Sequence, residues 1–225
     1  MDMPDFHRQV LDAALDLCRT HRLVLVGGYA MIAHGLVERP SQDLDLATFS
    51  ATPLEDVIDS LAADFRRRGF EVQQIRGTPL LGRLLVTDPT TGQACAVDVM
   101  KKPLQRPPTM IDIYPVASLD DLVGMKVAAL HGRSEPRDLI DVASVTEHYS
   151  FIELERLGSL FDEELTGEGM VLRLEVGLAF PDDVFREYGL DEAMIRRLRR
   201  FLLTWCEDLS MRLAEARALA GDDQA

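Results

Sequence analysis

The sequence predicts an α+β fold in which an N-terminal sheet flanked by helices is followed by a wholly helical part. Three observations predict it. Short apolar or alternating runs recur between Leu23 and Met100, the pattern of half-buried strands. Amphipathic segments at Pro4 to His21 and Pro53 to Gly69 are interleaved with those runs. From Ser118 onward the apolar residues recur at helical spacing almost without interruption. The expected division is therefore 1–115 and 116–225, with the irregular KKPLQRPP stretch, Lys101 to Pro108, as a junction or active-site rim.

Composition narrows the function. The formal charge is −14 over 225 residues. Such a field disfavours non-specific coating of nucleic acid, although a local basic groove for a folded RNA remains open. Cys18, Cys95 and Cys206 have no paired spacing, so neither a zinc site nor a disulfide framework is expected. That usage fits a reducing cytoplasm. The first fifteen residues are acidic and amphipathic, unlike a signal peptide, and no apolar run reaches the length of a membrane span.

In chain order, Pro4 to His21 places Phe6, Val10, Ala13, Ala14 and Leu17 on one helical stripe, which would pack on the sheet. Leu23-Val24-Leu25-Val26 reads as a buried strand, broken by Gly27-Gly28 before a helical segment from Tyr29 to His34. A second helix over Pro53 to Gly69 turns Leu54, Val57, Ile58, Leu61 and Phe65 inward. Its Arg66-Arg67-Arg68-Gly69 ending is a helix stop signal. Strands follow at Phe70 to Ile75, Arg83 to Asp88 and Ala94 to Met100, the last two joined as a hairpin through Pro-Thr-Thr-Gly. Further on, helices are expected at Phe151 to Leu165, at Gly169 to Phe180, where Val171, Leu172, Leu174 and Val176 could instead partly extend, and at Leu190 to Ala220. The Arg196, Arg197, Arg199, Arg200 cluster in the last is a solvated face or a docking patch for nucleic-acid phosphates.

The chemistry concentrates between Leu23 and Phe49. A strand feeding two glycines and a helix N-terminus exposes backbone N–H groups toward an anion. Next comes Arg39-Pro-Ser41-Gln-Asp43-Leu-Asp45-Leu. Strand alternation projects Asp43 and Asp45 from one face, with Leu44 and Leu46 on the other. Two adjacent carboxylates repel, and a hard cation such as magnesium between them removes the repulsion. Asp98 is a lone acid in the otherwise apolar run Ala94 to Met100 and needs a partner. A metal shared with Asp43 and Asp45 would be one, an ordinary salt bridge another.

In the helical part, Ser118 with Asp121 marks a helix start, and Leu119, Leu122, Val123, Lys126 and Leu130 share its face. Lys126 either snorkels to water or presents its ammonium to a triphosphate. Asp138 and Asp141 on the following helix are three residues apart and within reach of Lys126 across a hairpin. Asp138 also suits the helix dipole.

The order Gly27-Gly28, Arg39-x-Ser41-x-Asp43-x-Asp45, then Asp98, resembles the nucleotidyltransferase (polymerase-beta-like) superfamily. Lys126-Val-Ala-Ala-Leu with Arg137-Asp138-Leu-Ile-Asp141 looks like its AbiEii/AbiGii toxin branch, which includes the MenT-type toxins. The resemblance covers roughly residues 23 to 145. It implies a nucleotidyltransferase domain with a small mixed β-sheet flanked by helices over 1–115. A C-terminal helical bundle over 116–225 would complete the active-site cleft. It implies magnesium, in a two-metal site, on Asp43, Asp45 and Asp98, with Asp98 helping to activate an acceptor hydroxyl. Gly27, Gly28, Arg39, Ser41 and Lys126 would bind the nucleotide, with Asp138 or Asp141 orienting the lysine. The superfamily often has Gly-Ser where this chain has Gly27-Gly28, which removes one hydroxyl ligand. The implied partners are a nucleoside triphosphate, tRNA as acceptor at its 3′ end, and an antitoxin protein. Two alternatives stand beside this reading. One is a small acceptor such as an aminoglycoside-like antibiotic, which an acidic cleft would suit; the other is a non-catalytic nucleotide-binding module.

Overall fold

The computed structural model describes residues 1–37 and 41–222. The chain divides into two compact units, Met1–Leu122 and Val123–Ala225. In the first, helix α1 (Asp5–His21) leads to strand β1 (Leu23–Val26), helix α2 (Gly27–Ala33), strand β2 (Asp43–Thr48) and helix α3 (Leu54–Arg67). Strands β3 (Glu71–Thr78), β4 (Leu81–Thr87), β5 (Ala94–Lys101), β6 (Thr109–Ile111) and β7 (Tyr114–Val116) complete it. Helix α4 (Leu119–Arg133) then carries the chain across the boundary between the units.

The strands form one seven-stranded mixed sheet in the order β3-β4-β5-β2-β1-β7-β6. It is larger than the small sheet expected, because the chain beyond Lys101 adds a short hairpin, β6–β7, turning at Asp112 with φ 53°. β1 and β2 pair antiparallel, whereas β2 and β5 pair parallel. The parallel pairing requires a long crossover, and α3 with the β3–β4 hairpin supplies it.

Alternation then sorts the two faces. Leu44, Leu46, Leu84, Val86, Val97 and Val99 are buried together on one face. Helices α1 and α3 cover it, and Gly82 lies so close to α3 that a Cβ there would meet Ile58 Cγ1 at 2.7 Å. The opposite face of the same strands carries Asp43, Asp45, Arg83 and Asp98. The arginines at the end of α3 are spent locally. Arg67 and Arg68 pair with the buried Asp64, and Arg66 donates to the Val72 carbonyl at 2.9 Å.

The second unit is built of helices among its described residues. They are the remainder of α4, then α5 (Pro136–Ala143), α6 (Phe151–Ser159), α7 (Gly167–Ala179), α8 (Asp182–Arg186) and α9 (Glu192–Asp222). α6 ends at Ser159, short of Leu165, because Asp162 and the residues around it form turns that carry other bonds. α7 is helical throughout, so Val171 to Val176 do not extend. Leu174, Leu198, Leu202, Leu209 and the fully buried Trp205 make its core, with Trp205 stacked on Phe151 at 5.6 Å between ring centroids. Of the four clustered arginines, Arg199 is structural: it donates to the Leu178 carbonyl at 2.6 Å and pairs with Asp182, closing the end of α7. Arg196, Arg197 and Arg200 are exposed.

Candidate active site

The site is built where β1, α2, β2 and β5 meet. α2 begins at Gly27 itself, with φ +65°, a region that only glycine enters without strain. A side chain is excluded there for a second reason. A Cβ on Gly27 would lie 2.0 Å from Asp45 Oδ2, and one on Gly28 would lie 2.5 Å from Ser41 Oγ. The two glycines thus let β2 lay its polar side chains directly against the first turn of α2. Tyr29 anchors the same approach. Its hydroxyl donates to the Ser41 carbonyl at 2.8 Å, which leaves its oxygen to accept from His7 Nδ1 at 2.6 Å. Ser41 Oγ in turn donates to the Asp43 carbonyl at 3.2 Å.

On β2, Asp43 and Asp45 occupy alternate positions, and the parallel register sets Asp45 opposite Asp98 of β5. The strand on the other side of β5 sets Arg83 opposite the same aspartate. Arg83 therefore shares their face. It grips Asp98 with two parallel bonds, Nε to Oδ1 and Nη2 to Oδ2, both 2.6 Å, and Nη2 stands 3.6 Å from Asp43 Oδ2. The bond to Asp98, then its charge and those of Asp43 and Asp45, raise the Arg83 pKa against the opposing effect of burial. Burial, then the Asp43 charge, push the Cys95 thiol up to about 12, so it stays a neutral core side chain. Burial lowers the His7 pKa, and Asp43 opposes it.

Carboxylate oxygens on one rigid face are the donors a hard divalent cation prefers, so the side chains fit magnesium in kind. Among the described residues, no three histidine, cysteine, aspartate or glutamate side chains are gathered as a ready ligand set. Two of the carboxylates are instead ranged about Arg83.

The second unit holds the other predicted side chains. Lys126 Nζ lies 2.7 Å from Asp141 Oδ2, with both side chains withdrawn from solvent, at 12% and 0% exposure. Asp138 does not take the lysine. Arg133, the last residue of α4, grips it with two bonds of 2.8 and 2.9 Å. Arg39 lies outside the described residues. His34, at the C-terminal end of α2, is bonded to the Ala117 carbonyl at 2.9 Å and holds α2 in place.

Sequence reasoning passed over Arg83, His7 and Arg133. Arg83 was legible in principle: the hairpin closes with Thr87 opposite Ala94, and counting four pairs back puts Arg83 opposite Asp98. His7 carried no such signal, because only the folded sheet brings α1 near Asp43.

An acidic face of this kind, set against a glycine-started helix, suits transfer of a nucleotidyl group, and the class is that of the nucleotidyltransferases. The chain belongs to the nucleotidyl transferase AbiEii toxin family of type IV toxin–antitoxin systems, whose model matches residues 10–215. Its fold is similar to that of JHP933 from Helicobacter pylori, with a TM-score of 0.56 at 18% identity, covering 97% of this chain and 100% of that one. It is similar also to the nucleotidyltransferase toxin MenT4 from Mycobacterium tuberculosis, with a TM-score of 0.52 at 19% identity, covering 89% and 91%. No curated protein matches the chain in sequence. Among the described residues, no helix is long and apolar enough to cross a membrane.

Proposed function

We propose that the protein is a magnesium-dependent toxin that transfers a nucleoside monophosphate from a nucleoside triphosphate to the 3′ end of tRNA. The observation that carries the reading is the in-register placement of Asp45 and Asp98 on parallel strands, with Asp43 on the same face, against Gly27. Asp43, Asp45 and Asp98 would hold the cation. Bound there, magnesium, as one ion or as a pair, would neutralise phosphate charge as the α-phosphorus is attacked and pyrophosphate leaves.

The protein's own groups do the rest. Asp98 accepts the proton of the acceptor hydroxyl. Gly27 and Gly28 would bind the nucleotide phosphates through the first backbone N–H groups of α2, beside the Asp45 and Ser41 side chains that the glycines admit. The Ser41 hydroxyl and Arg39 add contacts to the same nucleotide. Lys126, oriented by Asp141, offers its ammonium to the triphosphate as a point charge. Asp138 has a different part, holding Arg133 and with it the junction of α4 and α5. A cognate antitoxin protein, expected from the family, would restrain the activity.

The acceptor is inferred from likeness to the toxin branch, and the net charge of −14 favours a second reading, a cationic small molecule. One experiment separates them. The protein is incubated with magnesium and each labelled nucleoside triphosphate, with total tRNA or an aminoglycoside as acceptor, beside Asp45→Ala. Label on tRNA from the wild type alone is the expected result. Label on the aminoglycoside only would move the acceptor, and no label on either would end the reading.

A further inference from the structure

The grip of Arg83 on the acidic face has a consequence of its own, which rests on the magnesium reading above. We propose that Arg83 is a resident counter-ion of this face, which a divalent cation must displace, so that Arg83 sets the metal affinity of the enzyme.

The geometry is that of a stand-in. Both oxygens of Asp98 are engaged by one guanidinium, and Asp43 is close enough to feel the same charge. A guanidinium cannot shed its proton in the neutral range, and these acids raise its pKa further. A cation entering between Asp43 and Asp98 would therefore meet a fixed positive charge, and Asp98 cannot turn both oxygens to an ion while it holds the fork. Arg83 and a metal thus compete for the oxygens of Asp98. Exchange is feasible because the Arg83 side chain is 43% exposed. It can rotate into water without opening the core beneath β4, where Leu84 and Val86 are fully buried on the other face. Without a metal, the same guanidinium relieves the repulsion among the carboxylates. One residue is then expected to stabilise the metal-free protein and to weaken its hold on metal.

The test is manganese binding to the full chain, read from the electron paramagnetic resonance of free Mn2+, with no nucleotide present. Arg83→Gln and Arg83→Met are compared with the wild type and with Asp45→Ala. Both Arg83 variants should melt at a lower temperature without metal, bind Mn2+ roughly fivefold or more tightly, and gain more in melting temperature when it is added. A merely structural arginine would lower the melting temperature and leave the affinity unchanged. Either folded variant decides the matter. Affinity equal to or weaker than wild type, with binding abolished in Asp45→Ala, overturns this inference and leaves the magnesium reading standing. No Mn2+ bound by any of the four proteins overturns both.

Discussion

Two charged clusters, one in each unit, differ in how their charges are matched. In the sheet unit, one guanidinium is shared between Asp98 and Asp43, and its side chain is close to half exposed. In the helical unit, Lys126, 12% exposed, faces the fully buried Asp141, while Arg133, 47% exposed, grips the buried Asp138 and stands 3.8 Å from Glu135. A shared cation beside water leaves negative potential for a ligand to use. The Lys126–Asp141 pair, withdrawn from water, neutralises its own charge and fixes the lysine in place. The first arrangement is suited to recruiting an ion, the second to holding a lysine ready.

The comparison is broken most directly by removing charge from each cluster in turn. Asp45→Asn should lower nucleotidyl transfer by about 10^2–10^3-fold, since electrostatic groups at the reacting centre are worth that order. Transfer within tenfold of wild type would remove Asp45 from the site. Asp141→Ala should instead destabilise the fold, by about 3–5 kcal/mol in urea titration, because Lys126 is left as a buried charge without its partner. A loss under about 1 kcal/mol would mean that Lys126 reaches water on its own.

Smaller changes sharpen the contrast. Gly27→Ala should cost about 1–2 kcal/mol from its left-handed backbone alone. It should also depress activity, because the new methyl displaces the Asp45 carboxylate. Unchanged kinetics in a folded Gly27→Ala protein would show that the displacement is tolerated. The smallest effect concerns pH. Burial holds the folded pKa of His7 below its ordinary 6.5, so the unfolded chain binds that proton more tightly. The associated stability is whole above about pH 6.5 and is lost as the pH falls below it. His7→Gln should therefore flatten part of the acid slope of melting temperature below pH 6.5, and parallel slopes for both proteins would count against it.

How much of this was legible in the sequence depended on the range of the interaction. Asp43 and Asp45 were legible because strand alternation is local, and Leu44 and Leu46 marked the other face. The burial of β1 followed from four consecutive apolar residues. Asp98 was legible as an anomaly, although the run around it could not say whether a metal or a cation answered it. The structure places Arg83 there, a partner fifteen residues away across a hairpin whose register had to be counted rather than guessed. Lys126 stood out in an apolar stripe, but the choice between Asp138 and Asp141 needed the α4–α5 turn, which brings Arg133 to the first and Lys126 to the second. The role of His7 depended on packing between α1 and α2 and left no trace in spacing.

The parallel pairing of β2 with β5 also governs when the acidic face comes into being. Asp45 and Asp98 become neighbours only once a long crossover has closed, and closures of that length are slow steps in folding. Until then the growing chain carries a glycine turn and two aspartates, and lacks the third acid and its arginine. A ribosome must release residue 98 before all four side chains can be arranged together. A chain that ends before residue 98 therefore lacks the assembled face.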